Sequence, residues 1–165
     1  MTITSVDKDP EGLSMTITVE VDATVERAWQ LWADPRQLER WWGPPTYPAT
    51  VLDHDLSVGG RVKYVMTGPE GDEHAGWWRI TAVAAPTGLE FDDGFGDPDA
   101  PTPDLPVSRT RVTISDVGGG VTRMVLATCF PSAEAMDRLL AMGMQDGLTA
   151  AVGQTDDLLA GASQH

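Results

Sequence analysis

Cysteine occurs once, at Cys129, so no intramolecular disulfide can form and a reducing, cytoplasmic setting is expected. Basic side chains are also scarce: 11 Lys and Arg stand against 25 Asp and Glu, a formal net charge of −14. A surface that negative repels phosphate backbones and anionic headgroups, so neither nucleic acid nor a membrane surface is an expected partner. No apolar run approaches the length of a bilayer span, and MTITSVDKDPEG at the start lacks the basic and apolar regions of a signal peptide. There is no G-x-S-x-G elbow, phosphate loop or dinucleotide fingerprint. Asp92, Asp93, Asp97, Asp99 and Asp104 do not have EF-hand spacing, so no metal and no cofactor are implied. With only three histidines in the chain, Cys129 reads as a small buried hydrophobe rather than a nucleophile. His54, between two aspartates, reads as a surface residue.

What is present is ordinary globular composition, 41% hydrophobic and 22% charged, in a length that suits one domain over 1–165. Strands are expected at 2–7 and 14–22, where Met15, Ile17, Val19 and Val21 alternate with polar residues. TVERAWQLWADP reads as a helix capped by Thr24 and ended by Asp34-Pro35. PRQLERWW follows as a second short helix, stopped by Gly43-Pro44-Pro45, with Leu38, Trp41 and Trp42 on one side. Six further strands are expected at about 48–55, 60–67, 73–85, 88–95, 107–117 and 120–130, linked by Gly- and Pro-rich turns into an antiparallel meander. GFGDPDAPTPDLP reads as a long exposed loop, and 132–161 as one long helix capped by Ser132. Strands, a helix pair, a meander and a last helix make an α+β fold.

Period-two alternation assigns the faces. Val62, Tyr64 and Met66 share one; Thr110, Val112 and Ile114 another; Met124, Leu126, Thr128 and Phe130 point inward with Arg123 outward. Leu89, Phe91 and Phe95 share a face with Asp93, and Trp78, Ile80 and Ala82 share one with His74. His74 and Asp93 are therefore the candidate catalytic pair, a His–Asp base able to remove a proton beside a carbonyl. Two readings of the interior stay open. Gly143 and Gly147 let helix and sheet pack closely in a filled core, or they leave an apolar cavity with a few polar anchors.

The segments WADPRQLERWWGPP, GGRVKYVMTGPEG, the GWW at 76–78 and MGMQDGLTAAVGQ resemble bacterial homologues of the C-terminal domain of the Hsp90 ATPase activator. These belong to the START-like superfamily of polyketide cyclases and lipid-transport proteins, and the resemblance runs over nearly the whole chain. It implies a helix-grip fold: a curved antiparallel sheet around a long C-terminal helix, with two short helices closing one end of a cavity and the 96–106 loop as a flap. The superfamily shares no catalytic constellation, so no catalysis is assigned. The expected function is binding of a hydrophobic or aromatic small molecule. Its expected walls are Tyr64, Met66, Trp78, Phe91, Phe95, Met136, Leu140 and Met144, with Trp41 or Trp42 near the entrance. The alternatives are a cyclase- or isomerase-like enzyme using His74 and Asp93, and a protein-interaction module. The last would be a homodimer with Trp77 on an outer face, or a chaperone partner, although the eukaryotic activator uses an additional N-terminal domain.

Overall fold

The computed structural model describes residues 2–43, 46–97, 100–101, 107–141, 143–155 and 159. Strands β1 (Thr2–Asp9) and β2 (Ser14–Val21) precede helices α1 (Val25–Ala33) and α2 (Pro35–Trp41). Then follow β3 (Ala49–His54), β4 (Arg61–Thr67), β5 (Glu73–Ala84), β6 (Gly88–Asp97), a two-residue β7 (Ala100–Pro101), β8 (Ser108–Gly118) and β9 (Val121–Cys129). Helices α3 (Ala133–Ala141) and α4 (Met144–Gly153) complete the order. The strands form one antiparallel sheet in the order β1-β2-β9-β8-β6-β5-β4-β3, with β7 paired to β6. This is the helix-grip α+β architecture.

Local chemistry sets the helix ends. The Thr24 hydroxyl accepts from the Arg27 amide at 3.1 Å, and the Asp34 carboxylate accepts from the Arg36 amide at 2.9 Å, so Asp34 closes one helix and opens the next. Ser132 accepts from the Ala135 amide at 3.0 Å at the start of α3. The Gln154 side-chain amide donates to the carbonyls of Gly43 (2.6 Å) and Trp41 (3.2 Å), tying the end of α2 to the end of α4.

The expected single helix over 132–161 is two helices. Gly143 has φ +90°, a left-handed conformation that breaks the helical hydrogen-bond run and redirects the chain. The stretches 156–158 and 160–161 lie outside the described residues.

On β8 and β9 the alternation is regular: Thr110, Val112, Ile114, Met124, Leu126 and Thr128 are buried, as is Phe130 just beyond β9, and Arg109, Arg111 and Arg123 are exposed. Cys129, on the outward phase of β9, is exposed rather than buried. Two irregularities reverse other expectations. A register shift between Ile80 and Ala82 turns Ala82 outward, and one between Val51 and Asp53 brings His54 against α1. There a ring nitrogen of His54 lies 2.9 Å from the Trp32 carbonyl, so this histidine is half-buried and not a surface group.

Candidate functional site

The core is densely aromatic where the helix pair meets the sheet. Trp32 of α1 packs edge-on to Trp41 (4.7 Å between ring centroids), Trp42 packs edge-on to Trp78 (4.7 Å), and Trp78 stacks on Phe91 at 4.0 Å. Trp41 is wholly buried and donates its indole N–H to the Leu31 carbonyl at 2.9 Å. The two adjacent tryptophans therefore differ in role: Trp41 locks α2 onto α1, and Trp42 faces the hollow beyond it.

That hollow is a cavity of about 640 Å³ between the sheet and α3–α4. Trp42, Tyr64, Ser108, Thr110, Leu126 and Leu139 are its buried lining, while Glu73, His74 and Ala75 are exposed and mark its rim. Gly143 and Gly147 line the helix side, and a Cβ at either would meet no neighbour within 4 Å among the described residues. Missing side-chain volume on α4 thus coincides with open space.

One ionisable group sits among the apolar walls. Asp93 on β6 accepts a hydrogen bond from the Tyr64 hydroxyl at 3.2 Å. The contact crosses a whole strand: Tyr64 pairs with Gly76 in β5, and Trp78 of that strand pairs with Asp93. It is possible because Gly76 lacks a side chain, since a Cβ there would overlap the Tyr64 ring. Burial pushes the Asp93 carboxyl up to about 7, with the Tyr64 hydrogen bond opposing the shift. Burial, then the nearby Asp93 charge, raises the Tyr64 phenol well above its ordinary value. The indole N–H groups of Trp42 and Trp78 approach the phenol oxygen and oppose that rise, yet neither closes a hydrogen bond among the described residues.

A family model described as "Activator of Hsp90 ATPase homolog 1-like protein" matches residues 22–160. The chain belongs to this family. Among solved structures, a protein from Arthrobacter aurescens is 48% identical, with TM-score 0.91 over 96% of this chain and 92% of that one. A protein from Mycobacterium smegmatis is 50% identical, with TM-score 0.87 over 96% and 97%. A Rhodobacter sphaeroides protein, 22% identical with TM-score 0.81 over 95% and 98%, shares the fold. Functionally curated proteins give no match.

In this member of the Hsp90-activator-like family, the cavity collects Trp42, Tyr64, Met66, His74, Asp93 and Phe95 from the residues singled out in the sequence. Trp42 lines it from the buried side, not the entrance, and Trp41 does not reach it. Trp78, Phe91 and Met136 are buried in the core and Leu140 packs against that core, so none of the four is part of the lining. The side chain of Met144 lies outside the described residues. His74 and Asp93 do not pair: His74 is exposed at the rim, with its ring nitrogen 3.2 Å from Asp72. Trp77 is only 8% exposed, its indole N–H donating to the Phe95 carbonyl and its ring occupying the space above Gly94, so it offers no open aromatic patch.

Of the expected flap, Gly96 lines the cavity and Ala100–Pro101 pair with β6, while 98–99 and 102–106 lie outside the described residues. Tyr47, Ser108, Thr110, Leu126, Leu139 and Leu148 join the lining without having been foreseen. Thr110 and Leu126 carried a usable signal, the inward phase of their strands; Leu139 and Leu148 needed the break at Gly143.

Proposed function

We propose that this chain binds a hydrophobic or aromatic small molecule in the cavity between the sheet and α3–α4. The observation that carries this reading is the cavity itself. Its volume of about 640 Å³ falls in the range typical of small-molecule sites, and its walls are mostly apolar with one hydrogen-bonded carboxyl among them. A core that was merely filled would bring side chains against Gly147, and among the described residues no atom lies within 4 Å of a Cβ built there.

The test uses the space beside Gly147. Wild-type protein is expected to bind the fluorescent apolar probe phenylnaphthylamine, and Gly147→Trp, which places an indole in the cavity, is expected to weaken it by tenfold or more. Native mass spectrometry of gently purified protein adds a second readout, an extra mass that disappears on denaturation. Absence of probe binding to the wild type, or equal binding by the folded variant, would remove the cavity as the site.

A second reading has its own support in Asp93. A carboxyl poised near 7 suits general acid–base work close to neutral pH, so a proton-transfer enzyme of the isomerase or cyclase type would use Asp93 with Tyr64. Its discriminator is turnover: Asp93→Asn abolishes product formation under an enzymatic role and leaves nothing to abolish under a carrier role.

A further inference from the structure

The ionisable side chains lining the cavity are Tyr47, Tyr64, Glu73, His74 and Asp93; among the described residues neither lysine nor arginine reaches it. Basic groups lie elsewhere. Arg109, Arg111 and Arg123 are on the outer face, hydrogen-bonded to Asp92, Glu90 and Glu20. A carboxylate or phosphate ligand would therefore enter beside two acids, with His74 only at the exposed rim and no lysine or arginine among the described residues to pair with it, in a protein of net charge −14.

We infer that the cavity selects an apolar or aromatic amine, carried as its ammonium ion against the Asp93 carboxylate, over acids and phosphate-bearing lipids of similar size. This rests on the small-molecule reading of the cavity and names the ligand class. Tyr64 donates to one Asp93 oxygen at 3.2 Å, and the carboxyl belongs to the cavity lining, where it presents acceptor capacity to a ligand. An acceptor of that kind in an apolar wall is completed by a donor, and best by a charged one. Trp42, Tyr47, Tyr64 and Phe95 supply rings around the same space, and aromatic rings attract cations. An acid in the same position would enter protonated or force Asp93 to keep its proton.

The surroundings of Asp93 define how the preference varies with pH. Tyr64 on β4 is its hydrogen-bond partner. On β5, Glu73 and His74 stand at the rim; on β8, Ser108 and Thr110 contribute only hydroxyls; Tyr47 is a phenol bound to Asp72. From α3 and α4 the lining is Leu139, Gly143, Gly147 and Leu148, all without charge. The ammonium pair is thus governed by ionisation of Asp93, with Glu73 and His74 setting the charge at the exposed mouth.

Three probes of one shape, phenylbutylamine, phenylbutanol and phenylbutanoate, are compared by displacement of phenylnaphthylamine from the wild-type protein. At about pH 8 the amine is expected to lead the acid by about tenfold or more, with the alcohol between them. Lowering to about pH 6, where Asp93 takes up its proton, is expected to shrink the amine-to-alcohol ratio while the amine itself stays charged. Asp93→Asn is expected to bring that ratio close to one; a pocket merely weakened by the substitution would lower both probes together and leave the ratio. An acid that competes as well as the amine, or an Asp93→Asn protein that keeps the wild-type ratio, overturns the ligand class while the cavity stands. Failure of phenylnaphthylamine to bind the wild type overturns the cavity and this inference with it.

Discussion

A carboxylate in a mostly apolar wall loses much of its hydration, and at half-buried Asp93 that loss raises the group from 3.8 to about 7. Between these values the folded chain holds a proton that the unfolded chain has released, so stability falls as pH rises from about 4 to about 7. With about 1.4 kcal/mol for each tenfold change in ionisation, the whole effect is on the order of 2–4 kcal/mol, the lower figure allowing for water in the cavity. Below this window the trend reverses. Asp34, Asp55, Asp72 and Glu90 are all depressed by hydrogen bonds, and their contributions are lost as pH falls through their lowered values. Asp93→Asn keeps the shape and the acceptor for Tyr64 but cannot ionise. Urea denaturation across pH 4–8 is therefore expected to show a declining curve for the wild type and a nearly flat one for Asp93→Asn over the same range. Parallel curves would mean that Asp93 is not desolvated. At the same scale, Tyr64→Phe removes the bond that opposes burial and is expected to raise the carboxyl further, read from its NMR titration.

Among the elements, α3 and α4 carry the greatest departure from the expected fold, and two glycines, one at their junction and one inside α4, make opposite predictions. Gly143 sits at φ +90°, where a Cβ clashes with its own backbone, so Gly143→Ala is expected to cost about 1 kcal/mol. Gly147 is inside α4 in ordinary helical conformation with open space beside it, so Gly147→Ala is expected to add about 1 kcal/mol through helix propensity. Thermal denaturation of both variants checks this, and a destabilising Gly147→Ala would show the helix already pressed against the sheet. A helical pattern of apolar residues runs through 143 without interruption, which is why the break was not legible: the signal for it is a single glycine, and glycines serve equally well as contacts. The strands show the same limit. Alternation placed Thr110, Val112 and Ile114 of β8 and Met124, Leu126 and Thr128 of β9 inward because those stretches are regular, and it misplaced Ala82 and His54 because a bulge shifts the phase by one residue without altering composition. For the site, Tyr64 and Asp93 could each be read as polar groups on apolar faces. Their meeting could not, because it depends on strand order and on Gly76 letting the ring cross β5.

For the molecule as a whole the balance of charge is one-sided, and the structure shows how little of it is compensated. On the outer face of the sheet, Arg109 pairs with Asp92 (2.9 Å), Arg111 with Glu90 (2.9 Å) and Arg123 with Glu20 (2.7 Å), each across neighbouring strands. The three arginines are 56%, 72% and 44% exposed, so each pair adds about 0.2–1 kcal/mol at most. Even if all 11 basic residues were so paired, more than half of the 25 acids would still repel one another across a small surface. Salt acts on both terms, weakening the pairs and screening the repulsion, and the decision turns on which is larger. The unpaired acids outnumber the pairs, and at about 0.01 M salt their repulsion reaches roughly 30 Å before it is screened. The melting temperature of the ligand-free protein is therefore expected to rise by several degrees as sodium chloride increases from a few millimolar to about half molar. Sodium chloride is the salt to use, because sulfate and phosphate stabilise proteins by exclusion from the surface whatever their charge. A melting temperature that falls with salt would mean that the cross-strand ladder of Arg109, Arg111 and Arg123 outweighs the net charge, and that the acidic residues are spaced too widely to strain the fold.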